Sequence, residues 1–492
     1  MGSTIRANAP IDLQDHLQRL EKLGLVQRIN RQIDKDSELH PLVRWQFQGG
    51  IPSGDRKAFL FDNVTDASGK VYEMPVVVGA LAANPEIYAA GLGVSVEEIG
   101  DVWTRGMDNP IQPVAVSDAP CQEVVMTGDE LTRQGGGLAA LPVPISTPGF
   151  DAAPYLTATL VVTKDPETGV RNMGTYRAQL KARDRLGVRM ASRLGGAGGY
   201  QHWLKYQSRG EVMPVAIVLG CAPAILFTGP QKLPIDEDEM AVAGGLIGSA
   251  VRTTRCKTVD LEVPADAEII IEGEILPDAM TSEGPFGEVT GGYAEEGSTE
   301  IFVVKAITHR KDPLFYGMHS GAPMTDPQSI TATCIEAALY EHLSKVEGGL
   351  DLLDIRCLGV SGLMAIIVKL RPRISGQAKT ALMAALSSPY LHPKLAIAID
   401  EDMDASDLNQ VFWSLTTRVN AEQDVSKIDN TRIWSLDNVS NIVPGMSPMY
   451  RIGTKVGIDA TKPWSSSKEG NTRFDRAMPT NYESVNIEDF LT

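Results

Sequence analysis

Hydrophobic positions change their spacing twice along this chain. Over residues 11–28 (IDLQDHLQRLEKLGLVQR), Leu13, Leu17, Leu20 and Leu23 recur every three or four positions, which predicts an amphipathic helix. A second helix is expected within residues 84–98, with Pro85 near its start. From about residue 150 to 320 the spacing shortens to that of strands. YLTATLVVT (155–163), the turn DPETG and VRNMGTYRAQL (170–180) predict a hairpin. Residues 186–191, 213–220, 258–264 and 268–276 add further strands, and helices are expected over 200–207 and 237–248. Many short strands with turn signals between them suggest a barrel or sandwich.

Beyond Thr325 helical spacing returns. Residues 326–346 predict a long helix with Asp326 as N-cap and Pro327 at the first helical position. Strands at 352–358, 364–370 and 394–400 then alternate with helices near 376–387 and 405–416, as in an α/β layer. The Gly- and Pro-rich run 128–144 reads as a boundary after a first α/β region. The Ser-rich, polar tail from 459 is expected to run over the surface.

With 492 residues the chain exceeds one ordinary core, so two or three domains are expected. A hydrophobic content of 43% and a charged content of 22% describe a soluble globular protein. The net charge of −17 argues against a nucleic-acid partner, although local arginines still allow a small anionic one. Five scattered cysteines without CxxC spacing fit free thiols in a reducing cytoplasm. No signal peptide or membrane span is expected, because the longest apolar stretch, near 216–227, is short and broken by Gly220 and Pro223.

Candidate chemistry concentrates in two stretches. NMGTYRAQLKARDRLGVRMASRLGGAGGY (172–200) holds Asn172, Arg177, Arg189 and Arg193 beside a glycine cluster. Guanidinium forks and glycine-loop N–H groups together suit an anion such as a cofactor phosphate. The loop is neither a Walker A motif nor GxGxxG. Arg177 falls in an alternating strand and reads either as a structural ion pair or as a guanidinium holding a carboxylate. Asn172 lies five positions earlier, so on one regular strand the two point to opposite faces unless the backbone bulges at Gly174. In SEGPFGEVTGGY, Glu283 and Glu288 flank an expected turn that either faces solvent or directs both carboxylates to one pocket. Glu239 lies one turn into a helix, where it either complements the helix dipole or joins Asn172 in a hard-oxygen site for Mn²⁺ or Mg²⁺. No HxH or HExxH pair supports zinc, and His319 in GMHSGAP is a candidate substrate contact.

Three separated motifs resemble the signature of the UbiD-like decarboxylases: Asn172–Arg177, Arg189–Gly196 and Glu283–Glu288. The likeness extends into the C-terminal third, and its wording is closest to the hydroxybenzoate (protocatechuate or gallate) branch. It implies reversible, non-oxidative decarboxylation of an aromatic or heteroaromatic acid by prenylated FMN, supplied by a flavin prenyltransferase. Asn172 and Glu239 would hold a Mn²⁺ at the cofactor phosphate, with K⁺ nearby. Thr175, Tyr176, Arg177, Arg189, Met190, Ala191, Leu194 and Gly195 match stretches that hold the flavin. Some members carry a histidine metal ligand where Gly195 stands here, so water or a phosphate oxygen is expected in that position. Arg177, Glu283 and Glu288 match the catalytic network, with Arg177 orienting Glu283 and the substrate carboxylate and Glu288 donating the proton. The implied architecture is α/β (α+β): an N-terminal α/β domain (1–130), a central split β-barrel flavin domain (131–322), a C-terminal α/β oligomerisation domain joined by a long helix (323–458) and a tail (459–492). The family habit implies a homo-oligomer, a dimer or hexamer. A flavin reductase on a split barrel and a non-catalytic subunit of a carboxylase complex are the alternatives; the first has no use for the two glutamates, and the intact network speaks against the second.

Overall fold

Asp12 caps the first helix, Leu13–Lys22, by accepting a hydrogen bond from the Asp15 N–H (2.7 Å), and the helix buries Leu13, Leu17 and Leu20. It stops six residues short of the expected end because Gly24 turns the chain at φ +72°. The apolar residues that follow belong to strand Val26–Ile29 instead. In the computed structural model, residues 9–190, 198–234, 237–294, 296–321, 324–346, 349–446, 450–463, 472–479 and 481–491 are described. Strand Val26–Ile29 pairs in parallel with Ala58–Phe61, followed by Val76–Val78 and then Phe315–Gly317, a segment from far along the chain. The helix expected within 84–98 is Pro85–Leu92, capped by the Asn84 side chain, and a short 3₁₀ turn and helix Ile99–Asp108 follow.

The expected mixed architecture is present, and its centre is a nine-stranded sheet. Along its main path the order is Arg171–Gly174, Thr159–Lys164, Met213–Leu219, Ile269–Glu283, Gly297–His309, Arg185–Val188, Ala178–Ala182 and Tyr155–Leu156, while Val124–Thr127 pairs with Gly297–His309. The two longest strands, Ile269–Glu283 and Gly297–His309, run antiparallel from the Ile269–His309 pair to the Glu283–Gly297 pair. The run of isoleucines Ile269, Ile270 and Ile271 is wholly buried, as a strand covered on both faces requires. The far end of this ribbon delivers Glu283.

The sheet is open among the described residues: no ladder joins its first strand to its last. Two short crossings nevertheless bring those edges together, one between Leu156 and Thr159, the other between Gly174 and Ala178. Three intervening residues span no more than about 14 Å, so the sheet must curl until its edges meet. The Thr159 hydroxyl ties this seam by donating to the Tyr176 carbonyl. Asn172 therefore lies in the first strand and Arg177 at the end of the crossing, just before Ala178–Ala182 near the opposite edge, and the face problem posed by their odd spacing disappears without a bulge within a single strand. Gly174 is needed there for space. A Cβ at this position would stand 2.6–2.9 Å from the Tyr176 ring and hydroxyl.

Helix Asp326–Ser344 follows. Asp326 is its first residue, one position inside the expected cap, and Gln328 reaches back to the Thr325 N–H (2.8 Å). A second sheet has the order Leu352–Cys357, Ala365–Leu370, Leu395–Ile399, Arg451–Asp459 and Val425–Ile433, with helices Gln377–Leu386 and Leu408–Thr417 between strands. The last two of these strands are polar enough that alternation alone did not reveal them. The chain forms two compact units: Met1–Glu341 with Cys357–Met364 and Arg432–Gly453, and His342–Arg356 with Ala365–Thr431 and Thr454–Thr492. No described helix is long and apolar enough to cross a membrane. All five cysteines are free thiols and four are buried.

Replacing Gly174 by Ala forces a methyl against Tyr176 at the seam. We expect Gly174→Ala to lower unfolding free energy by about 1–3 kcal/mol, as overpacking does. Urea denaturation checks this, with an unchanged midpoint counting against the seam as described.

Candidate active site

Two arginines twelve positions apart become neighbours through strand pairing. Ala178 pairs with Val188 in an antiparallel ladder, so Arg177 and Arg189 occupy the next rung, where the Arg189 N–H donates to the Arg177 carbonyl (3.1 Å). Both side chains reach the end of the central ribbon. Arg177 donates through Nε and Nη2 to the two oxygens of Glu283 (2.8 and 3.0 Å), and Arg189 Nη1 adds a third bond (2.9 Å). Arg177 Nη1 forms an ion pair with Glu288. Its guanidinium also lies over the Phe286 ring, 4.7 Å from the centroid.

Glu283 is completely buried. Burial pushes its carboxyl up, but the forks of Arg177 and then Arg189 outweigh that and hold it below the ordinary range. Glu283 is thus an ionised carboxylate with three charge-assisted bonds. Breaking so buried a pair from one side costs on the order of 3–5 kcal/mol. Glu288 is 7% exposed. The segment between the glutamates is more ordered than a turn: Phe286–Gly287 pairs with Tyr293–Ala294. The Gly284 N–H donates to the Tyr155 hydroxyl (3.1 Å), and the Tyr155 and Phe286 rings lie 4.4 Å apart. Burial, and then the Glu283 charge, push the Tyr155 phenol up, so it stays protonated. The Gly287 peptide is held at both ends: its N–H donates to Asp151 (2.9 Å), and its carbonyl accepts from the Ser320 hydroxyl (2.7 Å). Glu288 follows directly.

Asn172 and Glu239 meet at one backbone N–H. Met173 N–H donates to Glu239 Oε2 (2.8 Å). With the Asn172 amide oriented to satisfy its neighbours, its oxygen accepts from Met173 (3.1 Å) and Gly199 (3.2 Å). Glu239 is the first residue of helix Glu239–Ile247, capped by Asp238, and is 6% exposed. Burial pushes its carboxyl up to about 8, against the pull of backbone N–H groups including that of Met173. Gly198 opens helix Gly198–Arg209 against Asn172, and any Cβ there would collide with the Asn172 amide. Among the described residues no three His, Cys, Asp or Glu gather as a metal cluster.

Of the other expected contacts, Thr175 is exposed, while Tyr176 and Met190 are buried. Ala191, Leu194 and Gly195 lie outside the described residues, as do Arg193 and Gly196. His319 is wholly buried, and its ring nitrogens are engaged by Arg44 (Nε2, 2.9 Å) and His40 (Nδ1, 2.9 Å). In this arrangement it supports Arg44 and leaves no ring nitrogen for a substrate. Burial, then His40 and Arg44, hold its pKa well below the ordinary value, so it is neutral. His202 is buried against the sheet, with its Nδ1 2.9 Å from the Thr163 hydroxyl. Arg44, Asp151, Tyr155 and Ser320 were not anticipated, because each lies in a separate stretch with no motif around it.

Three models of one family match nearly the whole chain. They are the N-terminal domain (residues 17–105), the Rift-related domain (112–323) and the C-terminal domain (328–460) of 3-octaprenyl-4-hydroxybenzoate carboxy-lyase. The chain belongs to the UbiD family. Its fold is shared by the UbiD-class enzyme HmfF from Pelotomaculum thermopropionicum in complex with FMN, at 28% identity and a TM-score of 0.83, covering 98% of this chain and 100% of that one. An evolved dimeric form of HmfF in complex with prFMN matches at 27% and 0.81, over 98% and 100% of the two chains. Vanillic acid decarboxylase from Sedimentibacter hydroxybenzoicus, in its open form, matches at 27% and 0.81, over 98% of each chain. The apo 3,4-dihydroxybenzoic acid decarboxylase from Enterobacter cloacae matches at 26% and 0.83, over 98% and 99%. As a UbiD-family protein this chain is an enzyme, a carboxy-lyase.

The lowered pKa of Glu283 has a definite sign. Its bonds to Arg177 and Arg189 stabilise the fold above the unfolded value of 4.5, and that contribution is lost as pH falls through the lower folded value. Melting temperatures measured from pH 7 to 3 should therefore fall more steeply below pH 4.5 for the native chain than for Glu283→Gln. Parallel curves count against an ionised Glu283.

Proposed function

We propose that this UbiD-family enzyme removes CO₂ from an aromatic or heteroaromatic carboxylic acid with prenylated FMN as cofactor, and runs in reverse under high bicarbonate. The observation that carries this reading is the convergence of Arg177, Glu283 and Glu288 at the end of the central ribbon, in a chain whose relatives include enzymes named for vanillic and 3,4-dihydroxybenzoic acid decarboxylation.

The residues present fit such a cofactor. The Asn172 and Glu239 oxygens converge on one N–H, and the Glu239 carboxyl, pushed up by burial, needs a cation to remain ionised at that depth. A hard divalent ion such as Mn²⁺ or Mg²⁺, held by Asn172 and Glu239, would meet that need and would supply positive charge for a cofactor phosphate, with K⁺ as a further counter-ion. Gly198 leaves room for the Asn172 amide beside it. Tyr176 packs against Gly199 at the same helix start, and Thr175, Arg189 and Met190 would extend a flavin-holding surface from there.

Decarboxylation at an sp² carbon leaves an electron pair that prenylated FMN, when bound, accepts. The chain's own groups do the rest. Glu283 stays charged and immobile, and its two bonds set the plane of the Arg177 guanidinium. Arg177 in turn positions the Glu288 carboxyl. Glu288, protonated during turnover, delivers the proton from its side-chain oxygen to the carbon that has lost CO₂. The low exposure of both glutamates excludes bulk water as a competing proton source. In the reverse direction Glu288 takes that proton back.

Glu288→Gln keeps the shape but removes the titrating proton, so turnover should fall by about 10²–10⁴-fold. Retained cofactor absorbance in that variant separates loss of chemistry from loss of binding. Full activity there overturns the proton-donor role. Arg177→Lys keeps the charge but loses the fork and the Phe286 contact, and should lose at least about tenfold in kcat. Native activity in the lysine variant overturns its orienting role.

A further inference from the structure

Every nitrogen of the Arg177 guanidinium already faces a carboxylate, and Arg177 and Arg189 together are balanced by Glu283 and Glu288. While Glu288 is ionised, as in this ion pair, the cluster carries no surplus positive charge for an arriving anion. The substrate of a decarboxylase is an anion, and it needs a cation not yet matched. Arg44, from helix Leu39–Gln48, meets that description. It has no carboxylate within ion-pair distance among the described residues. Its Nε donates to the neutral His319 ring (2.9 Å) and its Nη2 to the Ser320 carbonyl (3.1 Å), while Nη1 has no acceptor among the described residues. Asp151, the carboxylate that acts on its charge, accepts from the N–H groups of Gly287 (2.9 Å) and Thr147 (2.7 Å). Burial pulls the Arg44 pKa down against the opposing influence of Tyr293 and Asp151, the mark of a guanidinium short of counter-charge.

The surroundings indicate what kind of anion fits. Phe150 and Tyr293 stack 5.0 Å apart while remaining 59% and 38% exposed. Tyr293 lies opposite Gly287 in the Phe286–Gly287/Tyr293–Ala294 pairing, and Phe150 adjoins Asp151, which accepts from the Gly287 N–H. Two exposed aromatic rings in the same loop cluster as a guanidinium whose hydrogen bonds go to neutral acceptors suit a flat ring that carries a carboxylate. The link to the reacting groups is short. Arg44 holds the Ser320 carbonyl, and the Ser320 hydroxyl holds the Gly287 carbonyl, next to Glu288.

We infer that Arg44, together with Tyr293 and Phe150, forms a carboxylate-recognition site that receives the aromatic acid anion ahead of the Arg177–Glu283–Glu288 cluster. This rests on the proposed decarboxylase reading for its substrate class, and makes Arg44 a binding residue that His319 orients.

Binding of benzoate and of its neutral analogue benzamide to the cofactor-loaded enzyme tests it by calorimetry, without turnover. The native enzyme should prefer benzoate, and Arg44→Gln should weaken benzoate at least about tenfold, the loss expected for a charged hydrogen bond, while leaving benzamide unchanged. With a turned-over aromatic acid the same variant should raise KM and preserve most of kcat. Equal benzoate affinity in native and variant enzymes, or no native preference for benzoate over benzamide, overturns the assignment. Should Arg44→Gln fail to fold, the surface variant Tyr293→Leu decides: it should weaken both ligands several-fold, and unchanged binding of both overturns the site. The benzoate measurement does not depend on Glu288. A Glu288→Gln enzyme that still turns over refutes the proton-donor reading while leaving the Arg44 result standing.

Discussion

A carboxylate with no exposed surface, gripped by two guanidinium groups, is the constraint around which this protein is arranged. Glu283 is ionised only because Arg177 and Arg189 are beside it, and they are beside it only because their strands pair in antiparallel register. The attraction is strong in a poorly polarisable interior, and so is the penalty for leaving any member alone. That mutual dependence turns a flexible set of long side chains into a rigid platform. The Phe286 ring beneath Arg177 and the Tyr155 hydroxyl at Gly284 remove the remaining freedom.

The sheet supplies this platform through its curl. Two crossings of a few residues join its opposite sides, so Asn172, in one strand, and Arg177, at the threshold of another, stand five residues apart on opposite sides of the seam. The segment between them connects the Asn172–Glu239 oxygens on one side with the arginine–glutamate cluster on the other. A seam of this kind accepts no bulk, and Gly174 and Gly198 stand where neighbouring side chains fill the volume a Cβ would take. The residues that hold charge and the residues that must be small thus serve the same geometric end.

Net charge describes the whole molecule poorly at this site. A chain with a formal charge of −17 gathers Arg44, Arg177 and Arg189 around three acids, and the balance differs from one arginine to the next. Arg177 is fully matched. Arg44 leans on a neutral histidine and a peptide carbonyl. The same histidine was a candidate for touching substrate, and its complete burial shows why a Gly/Pro-flanked histidine cannot be assigned from its neighbours alone: the loop it opens folds inward.

Local spacing determined a good deal here. Helical and strand periods located most elements, because one buried face per element leaves its repeat in the sequence. The motifs around Arg177, Arg189, Glu283 and Glu288 were legible because each lies in a short stretch rich in glycine and charge. Spacing did not determine where the first helix stops, since a single left-handed glycine ends an apolar repeat that continues into a strand. It did not reveal strands Val425–Ile433 and Arg451–Asp459, whose faces are too polar to alternate clearly. Only the tertiary structure decided that Arg177 and Arg189 share one carboxylate, that Gly174 sits at a seam, and that Arg44 reaches Ser320 from some 276 positions away. Those facts depend on which strand edges and loops meet in space, and one chain's order of residues carries no record of pairings between segments that lack a period of their own.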